Sequence, residues 1–168
     1  MKRAAWVVTV ICVVALADLL LFGLYIPPLV WHARHGNYVE LQGIRYRLPL
    51  LYLEHSTVRN ELYISTTLHR FPRKAAEITL GPRKTSLFTG TDEAMRDLGM
   101  QRASNRKLTV AGHEGTCVEY APAVLSRTVH LIQCTFAEGL NVQFMGTQNA
   151  IPDFYAILES GEAVQGRH

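Results

Sequence analysis

From Ala4 to Ile26 the chain carries only Thr9 and Asp18 as strongly polar interruptions. About 23 such residues make a helix of roughly 34 Å, enough for the hydrocarbon core of a bilayer. No other feature restricts the fold so much, because a helix apolar on every side must be surrounded by lipid or by a large core. Lys2 and Arg3 precede it, and Pro27 and Pro28 are expected to stop it. Trp6 at one end and Tyr25 and Trp31 at the other sit where amphipathic rings favour the headgroup region. Residues 1–31 therefore read as an N-terminal transmembrane anchor and 32–168 as the domain it holds. The competing reading is a signal peptide with a basic start, an apolar run from Trp6 to Val14, and cleavage after Ala17 in Ala15-Leu16-Ala17. That cut would leave a mature chain opening on Asp18-Leu19-Leu20-Leu21-Phe22, which is itself apolar.

Orientation is weakly encoded, because Lys2 and Arg3 on one side face Arg34, Arg45 and Arg47 on the other. The cysteines decide it. Cys12 lies in the apolar run, which leaves Cys117 and Cys134 as one pair in the following domain, the number a single disulfide in an oxidising compartment needs. The expected address is a bacterial-type inner membrane, with a cytoplasmic N-terminus and a periplasmic C-terminal domain. Asp18, an ionisable group inside the span, is a candidate intramembrane contact for a basic group on another helix; the plainer reading is a tolerated or water-reached carboxyl.

Past Asn37 the apolar pattern becomes alternating, the sign of half-buried strands. Strands are expected over 38–42, 44–48, 61–67, 76–80, 107–111, 116–120, 128–136 and 140–145, with Gly81-Pro82 as a turn. A capped helix is expected after Thr91, ending at Gly99, and a terminal helix after Pro152 and Asp153. The expected fold class is α+β: one membrane helix, then a small antiparallel-sheet domain with about two helices packed on it. A two-residue loop at Glu138-Gly139 would pair Phe136 with Asn141 and Cys134 with Gln143. One face would then collect Leu131, Leu140, Val142 and Phe144.

A hairpin centred between Leu125 and Ser126 places Cys117 opposite Cys134 and Tyr120 opposite Leu131, within disulfide reach. His113 and His130 each precede a cysteine by four residues, which resembles a zinc set. On extended strands four residues span about 13 Å, too far for two ligands of one ion. No metal and no cofactor is expected. Free thiols, or a catalytic cysteine with a histidine base, stay open as alternatives. His32 and His35 read as an interfacial loop sooner than a metal pair.

The turn Gly112-His113-Glu114-Gly115 offers His113 and Glu114 as a loop site, against a plain solvated turn. Between Arg70 and Lys84, the cations Arg70, Arg73, Lys74, Arg83 and Lys84 oppose Glu77 alone. Such a stretch suits an anionic partner or lipid surface, or is simply a solvated loop. The formal charge of +3 is no footprint for nucleic acid. No phosphate-cradling loop, serine elbow or zincin motif is present, which weighs against an enzyme without excluding one. The leading expectation is a membrane-anchored binding or interaction module, an accessory subunit of an envelope complex with a membrane or envelope protein as partner. The alternatives are a small periplasmic enzyme or ligand carrier, with a pocket between terminal helix and sheet using His113, Glu114 or Glu119, and a structural spacer.

Overall fold

The computed structural model describes residues 2–20, 25–58, 61–66, 74–82, 92–123, 129–137 and 139–164. Helix α1 covers Lys2–Leu20 and α2 covers Ile26–His35. Pro27 and Pro28 lie in the first turn of α2, where a missing N–H costs nothing, so the prolines begin a helix as well as ending a run. Among the described residues, no helix is long and apolar enough to cross a membrane. Residues 21–24, where the expected span continues, lie outside the described residues. α2 runs across the expected boundary at residue 31. It buries Pro28 and His32 against the domain, and the ring nitrogens of His32 lie 3.1 Å from the Gly36 carbonyl oxygen and 3.0 Å from that of Tyr52. His32 and His35 are thus helical, and His32 is a buried tie rather than a loop residue.

The strands are β1 (Tyr38–Leu41), β2 (Ile44–Arg47), β3 (Tyr52–Val58), β4 (Glu61–Thr66), β5 (Ala76–Pro82), β6 (Met100–Val110), β7 (His113–Pro122), β8 (Val129–Phe136), β9 (Leu140–Thr147) and β10 (Glu162–Ala163). Helix α3 is Asp92–Asp97 and α4 is Ile151–Glu159. A small sheet runs β1-β2-β10 and a large antiparallel one β3-β4-β5-β9-β8-β7-β6. The large sheet is two meanders, β3 to β5 and β6 to β9, joined along β5 and β9 from Ala76↔Gly146 to Pro82↔Leu140. The α+β class with antiparallel sheets is as expected.

Three expectations need correction. Gly81 and Pro82 are not a turn but continue β5, pairing with Asn141 and Leu140. The β8–β9 register is shifted by one: Cys134 pairs with Val142 and Thr135 with Asn141. The cause is a three-residue connection, 137–139, with Gly139 at φ 84° and its N–H donating to the Phe136 carbonyl. A three-residue hairpin loop takes a left-handed glycine at that position. A one-residue slip exchanges faces. Ile132, Cys134, Val142 and Phe144 therefore share one face, and Leu131 joins Met145 on the other. Finally, the turn between β6 and β7 is Ala111-Gly112, both at positive φ, so His113 and Glu114 are strand residues opposite Val110 and Thr109.

The inner face of the large sheet is covered by α4 and the small sheet. Leu62, Ile64, Ile78, Leu80, Ile132, Val142 and Phe144 meet Phe154, Ile157, Leu158 and Tyr46 in one buried cluster. α4 is sided for this role, since Phe154, Tyr155, Ile157 and Leu158 recur at helical spacing. At Gly146 the sheet and its neighbours come so close that an added Cβ would stand 2.5 Å from the Ala75 carbonyl oxygen and 2.7 Å from the Phe144 ring. Backbone cannot step aside as a flexible side chain can. Gly146→Ala is expected to cost about 2 kcal/mol in urea unfolding, and a loss under half of that would show that the backbone there yields.

Candidate functional site

The outer face of the large sheet is organised by two rows that cross the strands. One row runs Tyr63, Thr79, Gln143, Gln133 through directly paired positions of β4, β5, β9 and β8. The next runs Glu77, Met145, Leu131, Tyr120 across β5, β9, β8 and β7. Strand alternation puts all eight side chains on the face opposite α4. Among the described residues, α3 is the helix that stands on this side. It lowers Met95 onto Tyr120 and Met100, with Val118 and Leu131 beside them.

The result is a cleft of about 200 Å³ lined by these two rows and Met95. Its floor is largely apolar, through Met95, Leu131 and Met145, and its rim is amide, hydroxyl and carboxylate. Such a mix, an apolar body with a few placed polar groups, is the usual make-up of a small-molecule site. Tyr63 donates its hydroxyl to Glu77, and burial together with that carboxylate pushes the phenol up to about 12, so it stays a neutral donor at physiological pH. Tyr120 donates to Asp92 Oδ1 at 2.9 Å, and Asp92 holds Arg102 at 3.3 Å. Burial and the Asp92 hydrogen bond raise the Tyr120 pKa as well. The first turn of α3 is thereby fastened to β6 and β7, which sets the cleft wall.

The expected sites fall elsewhere. Cys117 and Cys134 face each other across β7 and β8 and form a disulfide, with Tyr120 opposite Leu131 as expected. Both sulfurs are buried in the inner core. Asp18 is exposed on α1. Of the five cations in the basic stretch, Lys74 alone falls among the described residues. Its ammonium sits 2.7 Å from Asp153 Oδ2, which also accepts from the Tyr52 hydroxyl at 3.2 Å. Burial first, and Asp153 second, raise the Tyr52 pKa. Arg70, Arg73, Arg83 and Lys84 lie outside the described residues.

His113, Glu114 and Glu119 are not brought together. Glu119 is about 17 Å further along β7 than Glu114. It accepts from Ser104 Oγ at 3.0 Å and stands 3.4 Å from His130 Nδ1, without hydrogen-bond geometry to that ring. Near it, Arg106 lies over the Tyr155 ring at 4.3 Å and pairs with Glu159 at 2.6 Å. The junction of α4 with the large sheet is filled by the core cluster. Among the described residues no three histidine, cysteine or carboxylate groups gather as metal ligands.

The cleft was missed from sequence, although a signal was present. Met145 and Leu131 are large apolar residues at positions whose neighbours two away, Gln143 and Gln133, are polar. That break in the alternation marks a face neither fully buried nor fully wet.

No protein-family model and no curated protein matches the chain. Among solved structures it is similar to the solution structure of cyanobacterial PsbP (CyanoP) from Synechocystis sp. PCC 6803, at 10% identity and a TM-score of 0.42, with 72% of this chain and 86% of that chain covered.

Proposed function

We propose that the chain is a membrane-anchored extracytoplasmic binding module, an accessory subunit of an envelope complex, working through the outer face of its large sheet. The observation that carries this reading is the cleft: a concave, largely apolar surface framed by Tyr63, Glu77, Gln133 and Gln143 and braced by α3. Support for the anchor comes from α1, whose Trp6, Val8, Ile11, Val13, Val14 and Leu16 are each more than half exposed. So many uncovered apolar side chains on one helix are costly in water and favourable in lipid. Support for the periplasmic side of a bacterial-type inner membrane comes from the Cys117–Cys134 bond, which an oxidising compartment preserves.

A photoreactive phenylalanine analogue placed at Gln133, within the cleft, should give a defined adduct in intact membranes. The same group at Lys107, exposed on β6, should give none. Met145→Lys, which places a charge on the cleft floor, should abolish the Gln133 adduct. Equal labelling from both positions, or a Gln133 adduct indifferent to Met145→Lys, would remove the cleft from the account. If a chain lacking residues 37–168 kept full function, the domain would be a spacer.

A further inference from the structure

We infer that the outward face of α2 is a lipid-docking surface, which lays the domain against the bilayer at headgroup level; this rests on the anchor reading above and adds a second contact to it. Ile26, Leu29, Val30 and Ala33 follow the i, i+3, i+4, i+7 spacing of a single helix face. A helix on the surface of a domain normally turns such a stripe inward and keeps polar residues outside. α2 does the reverse. The residues it buries are Pro28 and His32, one turn apart, with the His32 ring between the Gly36 and Tyr52 carbonyls. Leu29, Val30 and Ala33 are exposed and Ile26 is half-buried, so the apolar stripe is the side turned away from the domain. That arrangement is costly in water and favourable at an interface where apolar side chains enter the lipid.

Lipid is the occupant because of where α2 stands in the chain. α1 carries the same uncovered apolar side chains, and residues 21–25 alone separate the two helices. The six residue steps from Leu20 to Ile26 cover at most about 20 Å. With α1 in the bilayer, the first turn of α2 is held within that reach of the end of the span. Tyr25, which is exposed, and Trp31 bracket the stripe with rings that favour headgroup level. Arg34 is exposed on the last turn of α2, and Arg45 and Arg47 are exposed on β2 just beyond it. Cations so placed are drawn to anionic headgroups.

Docking by this face also decides which edge of the domain meets the membrane. His32 fastens α2 at the start of β3, which is one edge of the large sheet. The opposite edge, β6, is six strand spacings or about 29 Å from it.

The test uses the full-length protein with Cys12→Ser, in vesicles of equal parts phosphatidylcholine and phosphatidylglycerol. One nitroxide at a time is placed on Val13→Cys, Val30→Cys or Lys107→Cys, while the Cys117–Cys134 bond takes no label. Collisions with oxygen, which dissolves in lipid, are compared with collisions with a water-soluble nickel chelate. The Val30 label should sit about 5–10 Å into the boundary between headgroups and acyl chains. The Lys107 label, on β6, should be open to the chelate. Leu29→Glu with Ala33→Glu, both at exposed positions, should return the Val30 label to water without moving the urea midpoint.

The Val13 label reads the anchor separately. If Val13 is shielded in lipid while Val30 meets the chelate, the docking face is overturned and the anchor stands. If Val13 meets the chelate, the anchor reading fails, and a Val30 label still in lipid would keep the docking face. A Val30 label shielded from oxygen and chelate alike marks a protein contact and overturns lipid as the occupant. A Val30 depth indifferent to the two glutamates overturns the role of the stripe.

Discussion

Phe154→Ala should lower the unfolding free energy by about 4 kcal/mol, the largest loss expected of any single substitution in this chain. Phe154 is fully buried on α4, with its ring centroid 5.0 Å from that of Phe144 and 5.1 Å from that of Tyr155. Removing the ring loses its transfer free energy and leaves a hole between helix and sheet that flanking Ile157 and Leu158 cannot fill without leaving their own places. Urea unfolding followed by tryptophan fluorescence reads it, since Trp31 packs partly buried against the same core. A loss below about 1 kcal/mol would mean that α4 does not seal the inner face.

The second large effect is removal of the disulfide. Cys117→Ala with Cys134→Ala should cost about 3 kcal/mol, because the bond closes a loop of 17 residues in the unfolded chain. Replacing both sulfurs leaves no unpaired buried thiol to complicate the comparison. The urea midpoint should fall, and a reductant should reproduce the fall in the unsubstituted protein but not in the double variant. Non-reducing gel mobility of protein taken from membranes should show the crosslinked form. A fully reduced pair in such a sample would contradict the periplasmic address.

How far the fold is legible in the amino-acid sequence depends on which signal each segment carries. The β7–β8 pairing was readable because a cysteine pair supplied a long-range constraint and Tyr120 and Leu131 agreed with it. The β8–β9 register was not, because Glu138-Gly139 fits a two-residue loop as well as a three-residue one and only the φ of Gly139 separates them. Strand β3 escaped notice, as did the first half of β6. Residues 101–107 are exposed on both faces of an edge strand, so no alternation marks them. Gly81-Pro82 misled because a turn dipeptide can also end a strand when its carbonyls still pair. The cleft depends on five strands and α3 meeting at one place, and that convergence is a property of topology, which local pattern does not carry.

The pairing of β5 with β9 has a consequence for how the molecule assembles and where it opens. Each meander is built from neighbours in sequence, whereas the seam between them joins residues far apart and must pay the larger closure entropy. The Cys117–Cys134 crosslink lies wholly inside the second ribbon and does not straddle that seam. Oxidation therefore staples one half while leaving the join between halves to hydrogen bonds and packing. Exchange of amide hydrogens along 76–82 and 140–146 reports that join directly, and a chain caught half-zipped would present two sticky ribbon edges to whatever quality-control factors it meets.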